Sequence, residues 1–440
     1  LANDKLQKTP MHTRAQRTKT VASRRAQGAA DWKLSSYGIS FGIYLTLFQS
    51  IAGIGQVLSF VAIAILFIVA LLSAAQRHGK RLEFDLFDVW AILITLLSAT
   101  AFFSEQNENS AYFTLIFALA CAAVSLIAKT IPLRNTLLAL AVAHGAMTAT
   151  ALAVYPSDIL TSLNPASAMR WSLRVRPFNL HPNLVGFMFS GGAILEIYAA
   201  TVSKSRLKKI LYGVLAVVSL AVAVAASARA GLLAFFASAV VVGLLYSKQL
   251  FRANPRAFLA TIGGGVLAAL ALAPSALSYA NIVFELDSTT RGLNSGGSGR
   301  IDRWMTSIEY WTRGNVFIGS GLRTVGVDSV GFASTENSYL NIAIENGLLG
   351  LAVSLLIIGA TLTAFSRNRS GKDTLINGFA VWIIAYALIQ SMFNRYLIAI
   401  GNNLSLTILF IIASALAQTS HRRSSAPRSE SKSSTLQQAQ

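Results

Sequence analysis

The chain has 440 residues, with 37 Lys and Arg against 18 Asp and Glu, giving a net charge of +19. Apolar residues make up 54% and charged residues only 12%, about half the charged share of an ordinary soluble domain. That balance excludes a water-soluble globule, a disordered chain and a coiled coil, all of which need more charge.

The apolar residues lie in continuous runs. A helix crossing a bilayer needs about 20 mostly apolar residues, whereas a β-barrel strand would alternate. The expected fold is therefore an all-α polytopic membrane protein with about 12 transmembrane helices. The single cysteine, Cys121, leaves no disulfide framework or cysteine-based metal site. A basic tail over 1–37 precedes the first apolar run, which starts too late for a cleaved leader. Spans are then predicted at 38–55, 57–75, 86–103, 112–128, 136–154, 184–202, 210–226, 230–246 and 257–277. The first nine transmembrane helices thus fill 38–277. A long outer loop follows over 278–339. Helices at 340–364, 375–393 and 396–417 make up 340–417, and 418–440 is a second basic tail. The runs 210–246 and 375–417 are too long for single crossings and read as hairpins, with breaks at Ser227-Ala228-Arg229 and Asn394-Arg395.

Charge placement orients the chain. With both termini in the cytoplasm, 27 of the 37 cations fall on that side, as the positive-inside rule requires. Charge concentrated in tails and short loops marks topology rather than a nucleic-acid surface, so no nucleic-acid partner is expected. The tails are expected to meet anionic membrane lipids. The ten cations on the opposite side, among them Arg174, Arg176, Arg229, Arg300, Arg303, Arg323 and Arg395, are all arginine. Guanidinium offers a rigid fork of donors matched to phosphate and carboxylate. Headgroup anchoring is the competing explanation for any one of them.

Several residues carry candidate chemistry. Arg229 opens the second helix of the first hairpin, either as an anion ligand or as a snorkelling arginine. The segment 155–183 holds Arg174, Arg176 and His181, the last beside Pro182 and Asn183. In the long loop, a glycine-rich stretch at 293–299 precedes Arg300. Ile301, Trp304, Met305, Ile308 and Trp311 then follow helical spacing and predict a short amphipathic helix at the membrane boundary. Arg300 and Arg303 sit at its start. Glu336-Asn337 precedes the tenth span, where a carboxylate serves either as a general base or as a favourable helix N-terminal charge. His144 and Glu196 are ionisable groups inside spans and therefore functional suspects. Glu345 reads as structural or pore-facing. No P-loop, HExxH, GxSxG or Cys/His cluster is present, so metal-independent chemistry without a cofactor is expected.

Three stretches carry a family likeness. They are Ser227-Ala228-Arg229-Ala230-Gly231; Ser298-Gly299-Arg300 with Trp304 and Gly319-Ser320-Gly321; and Glu336-Asn337, followed after nine intervening residues by Gly347-Leu348-Leu349-Gly350. The segment from Arg176 to Asn183 adds a fourth. Together they resemble the O-antigen ligase and Wzy-type O-antigen and exopolysaccharide polymerase superfamily of bacterial envelopes. The resemblance implies a lipopolysaccharide or exopolysaccharide glycosyltransferase at the periplasmic face of the cell inner membrane. It would act on glycan carried by undecaprenyl pyrophosphate, with an acceptor glycan or lipid A–core as the other substrate and a chain-length regulator as a further partner. It implies that Arg229 and Arg300 hold the pyrophosphate and that Glu336 stands where the ligases place a histidine. Arg174, Arg176, His181, Asn183, Arg303 and Asn337 would bind substrate. A glutamate in the histidine's place favours polymerisation of repeats over ligation to lipid A–core. A lipid or polysaccharide transporter is the reading from another class. It would more often show internal repeats and helices broken at matching positions.

Overall fold

The computed structural model describes residues 34–51, 54–76, 83–105, 108–164, 174–253, 255, 275, 277–279, 281–282, 299–323, 335–367, 374–399 and 402–425. Every regular element among them is helical. The elements are α1 (Leu34–Phe48), α2 (Gly55–Ala75), α3 (Leu86–Glu105), α4 (Glu108–Thr130), α5 (Leu133–Val154), α6 (Pro156–Leu163), α7 (Pro182–Val202), α8 (Arg206–Ala225), α9 (Arg229–Ala253), α10 (Arg300–Arg313), α11 (Ser338–Arg367), α12 (Thr374–Gln390) and α13 (Asn403–Ser425).

Seven of these, α2, α4, α5, α7, α8, α9 and α11, are long and apolar enough to cross a membrane, and four shorter apolar helices lie in α1, α3, α12 and α13. The protein is thus an all-helical, multi-pass membrane protein. Eleven of the predicted spans coincide with a helix. The segment 257–277 lies outside the described residues, as does most of the glycine-rich stretch before Arg300.

Helix α7 is the axis of one half of the bundle and is buried along nearly its whole length. It packs against α5, α8, α9, α12 and α13. Small residues permit the closest contacts, as is usual where lipid supplies no hydrophobic drive between helices. A Cβ on Gly231 would stand 2.8 Å from the Gly186 carbonyl oxygen, and one on Gly186 would meet the Ala228 methyl at 2.4 Å. Helices α2 and α3 both pack against α4, and α13 touches α4, α7 and α11. Val217, Leu211, Val240, Leu244 and Leu356 point outward, as side chains facing lipid tails would.

At one end of the bundle, Asp85 caps α3, accepting from Phe87 N at 2.8 Å while Asp88 Oδ2 accepts from Asp85 N at 2.8 Å. Lys129, in the last turn of α4, is paired with Asp88 and lies 3.7 Å from Asp85.

The structure departs from the predicted spans at two places. Helix α11 is broken at Gly347 (φ 67, ψ −174). Its second piece, starting at Leu348, is 20 residues long, about 30 Å of helix and the thickness of a hydrocarbon core. The first piece, Ser338–Asn346, is a separate arm. The expected tight hairpin at Asn394-Arg395 is instead an open linker, since α12 ends at Gln390 and α13 starts at Asn403. The linker winds around the first residue of α11. Ser338 N donates to Ser391 O (2.8 Å), Ser338 Oγ donates to Asn394 O (2.7 Å), and Leu397 N donates to Ser338 Oγ (3.1 Å).

Candidate active site

The amphipathic segment after the glycine-rich stretch forms α10, entered through Gly299 in the left-handed region (φ 73). Its first turn projects Arg300 and Arg303 onto Glu336, just ahead of α11. Arg300 Nε donates to Glu336 Oε2 at 3.1 Å, and Arg303 donates to Oε1. Each carboxylate oxygen is thus held by a different guanidinium. The Glu336 side chain is only 19% exposed and Arg300 24%, whereas Arg303 is about half exposed at 48%. Arg300 also lies over the Phe393 ring, 5.6 Å from its centroid, so the linker backs the ion cluster.

Asn337 has a structural task. Its Oδ1 accepts from Tyr339 N (2.9 Å) and Leu340 N (3.2 Å), capping α11. His181 caps α7 in the same way, its Nδ1 accepting from Asn183 N at 3.3 Å. Lost hydration lowers the His181 pKa below its ordinary value; Glu336 opposes the shift, and Arg176, Arg395 and Arg303 add to it. His181, Arg176, Arg303 and Glu336 therefore share one electrostatic neighbourhood.

Arg229 opens α9 directly after the turn from α8, and Arg174, from the segment before α7, bonds to that turn. Arg174 donates to Ser227 Oγ at 3.1 Å, and Val175 N donates to Ala225 O at 3.3 Å. Ser227 holds a left-handed backbone (φ 52), which lets the chain reverse within Ser227-Ala228 before Arg229 starts α9. This turn is seated on the second turn of α7 through Ala228 and Gly186.

The other two motifs meet each other. A Cβ on Gly319 would fall 2.5 Å from Gly347 N, and one on Gly347 would fall 2.1 Å from Phe317 O. Ser320 N and Gly321 N donate to the carbonyls of Ile344 and Glu345 at 2.8 Å, and Leu348 N donates to Val316 O at 2.9 Å. The backbone groups released by the break in α11 are thereby satisfied by the segment after α10. The nine residues between Glu336-Asn337 and Gly347 are the arm that connects the ion cluster to this junction.

Beside the cluster lies a cavity of about 330 Å³, lined among others by Gln49, Phe113, His181, Arg323, Asn341, Glu345, Arg395, Tyr396 and Asn402. The ends of α1, α4, α7 and α11 and the linker all reach it. Arg323 lies over the Phe113 ring at 4.8 Å, and its N–H donates to Glu345 Oε1 at 2.9 Å. Sequence reasoning counted Arg323 and Arg395 among the outer arginines but did not assign them to the site, and it read Glu345 as structural or pore-facing. The restriction of the outer cations to arginine was the signal that could have found the first two. His144 and Glu196 lie elsewhere, in the interface of α5, α7 and α8. Thr148 and Ser219 donate to the two Glu196 oxygens at 2.9 and 2.8 Å.

Residues 214–355 match the family model described as O-antigen ligase. No curated protein matches the chain. The matched stretch holds Arg229, Arg300, Arg303, Arg323, Glu336, Glu345 and the Gly319–Gly347 junction. Over residues 214–355, this multi-pass membrane protein is thus similar to the O-antigen ligase family.

Proposed function

We propose that the protein is an inner-membrane glycosyltransferase that polymerises O-antigen or exopolysaccharide repeat units carried on undecaprenyl pyrophosphate, at the periplasmic face and with both termini cytoplasmic. One observation carries this reading: two arginines from one short helix grip one carboxylate beside a polar cavity, inside the segment that matches the family. Guanidinium pairs suit a diphosphate leaving group, because they stabilise charge that grows as the glycosidic bond breaks.

The chemistry follows from the grip. An arriving diphosphate brings more charge and more acceptor oxygens than a carboxylate, so it competes for Arg300 and Arg303. Glu336 is then released next to the acceptor. The acceptor hydroxyl oxygen bonds to the anomeric carbon as the bond from that carbon to the phosphate oxygen breaks. The hydroxyl proton passes to the Glu336 carboxylate, and the lipid diphosphate departs against the arginines. Arg229, at the start of α9, and Arg174, bonded to the turn before it, extend the anionic path, and Arg176, His181 and Asn183 line the approach from α7.

The test uses protein reconstituted with an undecaprenyl-pyrophosphate repeat unit. Elongation is expected in the wild type and at least roughly a hundredfold slower in Glu336→Gln and Arg300→Ala, at unchanged expression and melting temperature. Full turnover in both variants overturns the assignment. The family description itself favours a second reading, transfer to lipid A–core. Supplying that acceptor with the same donor separates the two, because a ligase leaves repeat units alone unextended. A transporter would move the lipid without releasing undecaprenyl pyrophosphate.

A further inference from the structure

The charged groups around the cavity beside Glu336 are engaged with one another. Arg323 lies over the Phe113 ring, and Glu345 acts on its charge. Arg395 bonds to the Tyr396 side chain, and Glu336 acts on both Tyr396 and His181. The polar atoms left over are neutral amides. Gln49 Nε2, Asn341 Oδ1 and Asn402 Nδ2 are buried without a hydrogen-bond partner among the described residues, and all three side chains line the cavity. They come from three separate places: the residue after α1, the arm of α11 and the residue before α13. A buried polar atom left unpaired is costly, and three of them converging on one cavity mark the place of a ligand.

What each amide already does fixes what it still offers. The Asn341 side chain bonds Glu345. A carboxylate can only accept, so Asn341 gives its N–H to Glu345 and turns its carbonyl toward the cavity. Asn402 Oδ1 caps α13, accepting from Leu404 N at 3.0 Å, which leaves its N–H₂ for the cavity. Gln49 adds a second N–H₂. Two vacant donors and one vacant acceptor call for an uncharged ligand with several groups that both donate and accept. Sugar hydroxyls do so, whereas an ionised phosphate has no proton to offer Asn341. A volume of about 330 Å³ stands at the lower end of the roughly 300–1,000 Å³ of small-molecule sites, and it suits one sugar ring rather than a chain. Ile94, Leu184 and Ile342 give the ring's C–H face an apolar wall.

We propose that this cavity seats the terminal, uncharged sugar of the acceptor, its hydroxyls read by Gln49, Asn341 and Asn402. The inference rests on the glycan-transfer reading and deepens it by naming what selects the acceptor. Two residues of the lining, His181 and Tyr396, stand in the field of Glu336, so a ring held here brings a hydroxyl toward the carboxylate that takes its proton. Glu345 is a positioning residue, holding Asn341 and the Arg323 backbone in place. A sugar lacking the matching hydroxyl leaves a buried amide unpaired, and such a site discriminates far more strongly than an apolar pocket does.

The probes are the methyl glycosides of glucose, galactose, mannose, rhamnose and N-acetylglucosamine, with methyl galacturonide as the charged comparison. Each is titrated against full-length protein in lipid nanodiscs and followed by saturation-transfer NMR. At least one neutral glycoside is expected to bind, and more tightly than the galacturonide. In the monodeoxy series of the tightest binder, loss of one hydroxyl should weaken binding about tenfold or more. Asn402→Ser keeps a side-chain oxygen to cap α13 but has no amide, so there the same deoxygenation should cost about twofold or less. Where Asn402→Ser does not fold, Gln49→Met carries the same comparison. Binding of no neutral glycoside, tighter binding of the galacturonide, or the full deoxy penalty in both folded variants overturns the proposal. So does displacement of the bound glycoside from Arg300→Gln protein by inorganic pyrophosphate, which would make the cavity a diphosphate seat. Absence of glycan transfer to any acceptor would refute the enzymatic reading while leaving the sugar selectivity intact, so the two failures are distinguishable.

Discussion

Glu336 stands at φ 48, Ser227 at 52 and Arg323 at 63, a left-handed region that residues with a side chain adopt only when their surroundings hold them there. At Ser227 the chain reverses between two helices, and all three residues help aim a charged group. Glu336 points its carboxylate back at α10, Ser227 sets up Arg229, and Arg323 reaches over Phe113. Strain of this kind persists because hydrogen bonds over-determine each turn. Arg323 N is held by Glu345, and Ser227 N by Val224 O at 2.7 Å. His181 gives this neighbourhood a measurable pH signature. Its pKa lies below the ordinary 6.5, with lost hydration the first cause. The folded protein therefore takes up that proton less readily than the unfolded chain. The stability contributed by neutral His181 is complete above pH 6.5 and declines as the pH falls below it, where the unfolded state binds the proton first. In detergent, the wild-type melting temperature should drop more steeply between about pH 7 and 5 than that of His181→Gln. Parallel curves would remove His181 from this field.

At the scale of elements, the broken helix α11 organises the site. Gly347 combines φ 67 with ψ −174, a region open essentially to glycine alone. Its hydrogen atom also faces the Phe317 carbonyl, where a Cβ would come to 2.1 Å. Gly347→Ala should therefore cost at least about 2 kcal/mol and should misplace Arg323, so that activity falls with the melting temperature. Gly359, in the same helix, has nothing within 4 Å of its Cβ position. Gly359→Ala should be neutral or stabilising by about 0.5 kcal/mol. Equal melting temperatures for the two variants would show that the break is not required. A second element-level contact secures α3 to α4. Burial raises the Asp85 pKa; Lys129 acts against the shift, and Asp88 adds to it. Lys129→Met leaves two nearly buried carboxylates side by side, a loss of about 3 kcal/mol. Adding Asp88→Asn should recover much of the lost melting temperature, since one of the facing charges is gone. A double variant no more stable than Lys129→Met would contradict the pairing.

For the molecule as a whole, the helices were legible because transfer of apolar side chains into lipid dominates where each one forms. The run 184–202 needed no tertiary information to become α7. Hydropathy misled at 396–399, where Tyr-Leu-Ile-Ala reads as the start of a span. The backbone there is instead held by Ser338 and Asn394, and side-chain transfer energies contain nothing about such partners. The candidate site was legible in part for the same reason. Arg300 and Glu336 lie in recognisable motifs, and the structure joins them across 36 positions. Arg323, Arg395 and Glu345 acquire their setting only when the linker after α12 closes on the arm of α11, a juxtaposition that no local pattern encodes. The charge distribution makes a definite statement about the side of the membrane on which this assembly works. Every lysine falls on one side of the predicted topology, whereas the site arginines fall on the other. The sole cysteine, Cys121, is buried, so the wild type should give little background with a membrane-impermeant thiol reagent. In intact spheroplasts, Thr312→Cys on exposed α10 should label promptly, while Ser205→Cys, at the lysine-rich start of α8, should label only after the membrane is permeabilised. The reverse order would turn the whole arrangement over, placing the Arg300–Glu336 cluster in the cytosol and removing its access to a glycan presented at the outer leaflet.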